Sequence, residues 1–143
     1  MPNKRTLFFY AVWMNVIFIV YGSLVPFEIR HNTLAQAWEF FRHVPYLKLG
    51  VGSRADWIAN IVLYMPFAFF ADAWLAGGRG LFSRRLVRRL IVFGAGAVLA
   101  VAVEFTQIWF APRTVSLNDI IAEIIGTVLG IIVWEVLLIF VTE

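Results

Sequence analysis

Cysteine is absent from the chain, which excludes disulfides, thiolate metal sites and a cysteine nucleophile. Charge is scarce. Asp, Glu, Lys and Arg make up 15% of the residues, where soluble domains carry about a quarter. Histidine is reduced to His31 and His43, and the two show no metal-ligand spacing, so no metal site is expected from them. There is no Walker loop, no G-x-S-x-G, no H-E-x-x-H and no dinucleotide fingerprint. What the chain has in excess is apolar surface: 62% of its 143 residues are hydrophobic.

The apolar residues are gathered into runs. Stretches near 7–26, 56–76, 86–110 and 118–141 approach or exceed the roughly 20 residues that cross a bilayer. The expected fold is therefore an all-α membrane protein, with four transmembrane helices in one antiparallel bundle and a single domain over 1–143. The spans leave no length for a soluble catalytic domain. Lys4 and Arg5 before the first run imitate a signal peptide, but the run is longer than a signal h-region, so a retained first helix is expected.

The formal net charge of +3 does not point to nucleic acid, because the basic residues lie between spans and mark topology. With the N-terminus inside, the inner side holds Lys4, Arg5, Arg79, Arg84, Arg85, Arg88 and Arg89. The outer side holds Arg30, Arg42, Lys48, Arg54 and Arg113. The expectation is N-in and C-in. The Arg84, Arg85, Arg88, Arg89 run reads as a topology signal, with an anionic-lipid site as the alternative. Gly77, Gly78 and Gly80 make the turn before it.

In the long connection 29–54, Leu34, Trp38 and Phe41 recur at helical spacing among Gln36, Glu39 and Arg42. An aromatic belt is the plainer reading. A short interfacial helix in this first outer loop fits the same spacing. Gly126-x-x-x-Gly130 and Gly96-x-x-x-Ala100 are packing signals, within one chain or between chains. Pro66 is expected to kink the second span.

The polar residues in the spans are few and placed at span ends. Ser23, Pro26 and Glu28 close the first span, and Asp56 and Asn60 open the second. Glu104 and Gln107 close the third, and Asp119 and Glu123 open the fourth. In an antiparallel bundle these groups meet in one leaflet, on the outer side in the expected orientation. Charges in lipid face a partner or a cavity. Ser116 and Asp119, like Ser53 and Asp56, fit a helix-capping template. That parallel, extended by Asn60 and Glu123, suggests two similar hairpins.

Capping does not account for Asn60 and Glu123, each one turn deeper on the same face. A carboxylate there costs up to about 2.5–3.5 kcal/mol at the centre of a span and less near its ends. Arg113, in the loop after Pro112, is the natural ion-pair partner for Glu104, Asp119 or Glu123. The remaining negative charge calls for a protonated carboxyl or a bound cation, and oxygen ligands would favour Mg²⁺ or Ca²⁺. Asn15 is expected to join the first span to a neighbour. Asp72 is within reach of an arginine from the 79–89 segment, and Glu135 needs a partner that the sequence does not name.

Ser23-Leu24-x-Pro26, Asp56-x-x-x-Asn60-x-x-x-x-x-Pro66, Glu104-x-x-Gln107, Arg113-x-x-Ser116-x-x-Asp119 and the pair Gly126 and Gly130 follow one another in an order that resembles the VanZ-like family. Two positions depart: Glu123 stands where that family usually has Asn, and Ala68 where Gly commonly follows the proline. The resemblance implies a small multi-span protein of the bacterial inner membrane. The family is named for low-level resistance to the glycopeptide teicoplanin, and relatives occur with cell-surface polysaccharide systems.

The leading expectation is a binding protein whose pocket is formed by Asp56, Asn60, Glu104, Gln107, Arg113, Ser116, Asp119 and Glu123. It would take the head group of a lipid, a lipid-linked precursor or a glycopeptide. Besides the bilayer, the expected partners are such a ligand and a second copy or another membrane protein. The alternatives are an enzyme with paired carboxylates on a lipid-linked substrate, and a transport or scaffold subunit. Neither a catalytic residue nor a cofactor can be read from the sequence.

Overall fold

The computed structural model describes residues 3–48, 50–76 and 82–142, without the side chains of 51–53, 82, 83, 141 and 142. The glycine turn at Gly77, Gly78 and Gly80, together with Arg79, lies outside the described residues, as does the side chain of Ser53. The elements run α1 (Lys4–Leu24), β1 (Glu28–Ile29), α2 (Leu34–Arg42), α3 (Val51–Leu75), α4 (Phe82–Gln107), β2 (Phe110–Ala111) and α5 (Leu117–Thr142).

Four of the helices are long and apolar enough to cross a membrane: α1, α3, α4 and α5. Large apolar side chains such as Trp13, Ile17, Val98 and Phe140 stand exposed along them. In water such a surface would aggregate, whereas in a bilayer it meets lipid. The chain is a multi-pass membrane protein.

The helix ends have local causes. Asn3 caps α1 by accepting from the Arg5 amide at 3.3 Å. Pro26 ends α1, since the residue before a proline avoids helical torsions, and Val25 sits at φ −59°, ψ 136°. Phe27 then turns the chain at φ 65°, a left-handed conformation that costs a bulky residue about 1–2 kcal/mol. It leads into β1, which pairs antiparallel with β2, Glu28 opposite Ala111 and Ile29 opposite Phe110. This two-strand clasp was not legible in the sequence. It removes Glu28 from the polar cluster and leaves it exposed.

The clasp is extended by side chains. The Asn32 amide donates to the Ile108 carbonyl at 2.9 Å, and the Trp109 indole donates to the Asn32 carbonyl at 2.8 Å. Further on, the Asn118 side chain accepts from the Leu47 amide at 2.7 Å and donates to the Leu47 carbonyl at 3.1 Å. The long connection is thereby tied across one end of the bundle. Within it, α2 is a helix with a full Thr33–Gln36 capping box. Its Ala37 is buried, and its Phe41 packs with Phe105, Ile108 and Val115. Leu34 and Trp38 on α2 remain exposed.

The spans pack through small residues. A Cβ at Gly126 would strike the Ile61 carbonyl, and one at Gly130 would strike the Met65 carbonyl, so α5 lies directly on the α3 backbone. Gly96 of α4 accommodates the Thr127 side chain of α5, whose Cγ2 would be 2.5 Å from an added Cβ. Both small-residue motifs thus serve contacts within one chain. Pro66 lies inside α3, which runs through it as one helix. The helix does not end there, but the Val62 carbonyl loses its helical donor.

At the end opposite the clasp, Arg88 of α4 bridges Asp72 of α3, at 2.5 Å, and Glu135 of α5; Arg89 also pairs with Glu135, at 2.5 Å. Glu135 therefore has two partners. Half of the arginine run is interior ion pairing, beyond a topology signal.

Candidate functional site

The clasp end holds a cavity of about 690 Å³ between α1, α3, α4 and the 112–119 segment. Six of the expected residues line it: Asp56, Asn60, Glu104, Gln107, Arg113 and Asp119. They come from the start of α3, the end of α4 and the start of α5, so the antiparallel arrangement brings the polar span ends together. Ser116 and Glu123 are buried behind the wall.

The start of α5 organises one side. Ser116 is its N-cap: its hydroxyl accepts from the Asp119 amide at 3.2 Å and donates to Asp119 Oδ2 at 2.6 Å. In an ordinary capping box the third helical residue also receives the cap's own N–H. Here that N–H donates instead to Glu104 Oε2, at 3.2 Å, from another helix. Asn60 completes the arrangement by donating to Asp119 Oδ1 at 2.8 Å. Glu104 and Asp119 are thus held in fixed orientations by helix-terminal groups.

The repeat between spans two and four fails at this point. Helix α3 begins at Val51 with Gly50 as its cap residue, so Ser53 lies inside the helix, and the Ser53–Asp56 parallel to Ser116–Asp119 is not reproduced. Asp56 is exposed and Gln107 is buried. Among the described residues neither side chain has a protein hydrogen-bond partner.

Arg113 departs from expectation. It forms no ion pair with Glu104, Asp119 or Glu123; its Nη2 donates to the Gly22 carbonyl of α1 at 2.7 Å. Its Nε is buried without a partner. The cavity therefore keeps three carboxyl groups and one guanidinium with no ion pair among them. Among the described residues, no group of three or more His, Asp or Glu could hold a metal ion.

Asn15 and Val62 also line the cavity, whereas Tyr64 of α3 does not. Tyr64 is fully buried, and its hydroxyl and Glu123 Oε2 are both without hydrogen-bond partners. Asp56, Asn60 and Tyr64 recur at intervals of four, so the helical face was readable, although an aromatic residue in a span reads as core. Asn15 bonds back to the Ala11 carbonyl of its own helix at 2.9 Å and lines the cavity, in place of joining a neighbouring helix. Val62, whose carbonyl Pro66 leaves free, also lines it.

The cavity reaches beyond the polar end. Phe18 of α1 and Val62 of α3 both line it and are 62% and 55% exposed. Its wall therefore carries exposed apolar side chains as well as the polar groups at the span ends.

Four membrane-length helices, with a cavity lined by polar groups from their ends, define a small integral membrane protein. The chain belongs to the VanZ/LLP1 family, whose model matches residues 6–139. No curated protein matches the chain, and neither does any solved structure.

Proposed function

We propose that this protein is a binding component of the bacterial cell envelope. It sits in the inner membrane with both termini in the cytoplasm. The cavity takes the polar head group of an outer-leaflet lipid, a lipid-linked wall or polysaccharide precursor, or a glycopeptide. The supporting observation is the combination of polar span-end groups and exposed apolar side chains in the wall of one cavity. An amphipathic ligand could enter from the bilayer without its chain leaving lipid. Asp56 and Gln107 offer an acceptor and an amide, and Arg113 offers a donor. The surplus of carboxyl groups suits a head group rich in hydroxyl, amide or ammonium donors. The paired-carboxylate enzyme is the weaker reading, because Glu104 and Asp119 are already engaged by the Ser116 cap.

The test separates ligand contacts from helix capping. Asp56→Asn with Gln107→Ala removes groups that make no protein hydrogen bond, so the fold should remain. Teicoplanin and lipid-linked wall precursor are titrated against wild type and variant in detergent. The expected result is saturable binding of one probe, weakened at least about fivefold in the variant, each lost contact being worth about 0.5–1.5 kcal/mol. Equal binding by wild type and variant, or binding of neither probe, would sink the proposal.

A further inference from the structure

A second cavity, of about 400 Å³, lies at the opposite end of the bundle, where α1 and α4 begin and α3 and α5 end. Its rim carries Lys4, Arg5 and Arg85. Among the described residues none of the three has an acidic partner within ion-pair distance. The one carboxylate in the lining, Glu135, is already held by Arg88 and Arg89, and nearby Asp72 is held by Arg88. The two acids and two arginines of that inner cluster cancel, so the positive charge of the rim is uncompensated. Phe8 and Trp134 form an apolar floor, ring centroids 5.8 Å apart. The Trp134 indole N–H is buried and has no acceptor. Helix α1 begins at the same rim, which adds the positive end of its dipole.

From this arrangement we propose that the second cavity binds the phosphate head group of an anionic phospholipid. Lys4, Arg5 and Arg85 surround the phosphate, and the Trp134 N–H donates to a phosphate or ester oxygen. The site lies level with the span ends, where lipid phosphates reside. Its volume suits a phosphate with its glycerol, and the acyl chains continue over exposed apolar side chains such as Leu7. A zwitterionic lipid would bring its ammonium group against a cationic rim, so the site discriminates by net charge.

General attraction of basic loops to acidic membranes does not depend on whether a residue lines the cavity. Arg84 therefore provides the control: it neighbours Arg85 and is exposed, but does not line the cavity. Lipid-stripped full-length protein is titrated with phosphatidylglycerol and with phosphatidylcholine, and occupancy is read by native mass spectrometry. One phosphatidylglycerol should bind at least about tenfold more tightly than phosphatidylcholine. Lys4→Gln with Arg85→Gln should remove most of that preference, and Arg84→Gln should keep it. Trp134→Phe retains an aromatic floor and removes the donor, so it should weaken phosphatidylglycerol several-fold at unchanged melting temperature. Equal loss with Arg84→Gln and with Arg85→Gln would show diffuse attraction and overturn the proposal. So would equal affinity for the two lipids, or displacement of phosphatidylglycerol by millimolar inorganic phosphate, which would assign the site to a free anion.

Discussion

Arg88 shows how much one side chain can organise. Its guanidinium joins α3 to α5 through Asp72 and Glu135, with almost no access to solvent. Removing one partner of a buried pair costs about 3–5 kcal/mol, because the charge left behind has lost its compensation. Arg88→Met should therefore sharply lower the yield of monodisperse protein in size-exclusion chromatography. Adding Asp72→Asn should restore much of it, since Glu135 still has Arg89. Full recovery of stability by Arg88→Lys would contradict this account, because lysine lacks the fork that reaches two carboxylates at once. At this scale the sequence was only partly readable. Asp72 needed an arginine and found one, and the acids at the span ends did converge. Arg113 resisted prediction because its partner is the carbonyl of Gly22, and backbone acceptors leave no trace in residue type. Ser53 resembled a cap, but helix α3 starts earlier.

At the scale of elements, the four spans were legible because lipid demands about 20 apolar residues per crossing, and no other signal in the chain is so long. The two-residue strands were not, since a pair of that length has no periodicity to read. Helix α2 was ambiguous for a related reason: nine residues with exposed aromatics fit a belt as well as a helix. The small-residue motifs were visible, and the structure assigned them to the α3–α5 and α4–α5 contacts. Gly130→Val should separate α3 from α5, since the added carbons meet the backbone at Met65 and Phe69. The expected sign is a melting temperature lower by several degrees in detergent, consistent with overpacking costs of about 1–3 kcal/mol. Gly22→Ala meets nothing within 4 Å and should leave the melting temperature unchanged. A neutral Gly130→Val would mean that α5 is not seated on α3.

For the whole molecule, the two ends of the bundle have opposite characters. One is a carboxylate-rich cavity under a stitched loop, and the other carries a basic rim around neutralised ion pairs. Combined with the excess of Lys and Arg at the second end, this asymmetry supports the proposed orientation. The absence of cysteine makes the test direct. Arg30→Cys should be labelled by a membrane-impermeant maleimide in intact cells, and Arg84→Cys only after permeabilisation. The reverse pattern would invert the assignment of leaflets and move the first cavity to the cytoplasmic side.

The clasp has a consequence in time. Strand β1 is synthesised well before β2, and between them the ribosome must deliver α2, α3 and the whole of α4. Until then Asn32 and the edge of β1 have no acceptor or donor from the 108–111 segment to meet. Asp56 and Asn60 likewise enter the bilayer before Glu104 and Asp119 exist to face them. The first cavity is thus completed only when the fifth helix follows the fourth, and a nascent chain halted before Phe110 would carry its polar groups into lipid as an unfinished surface. The pairing of β1 with β2 closes the loop over that surface, and only the start of α5 supplies Asp119 to face Asn60.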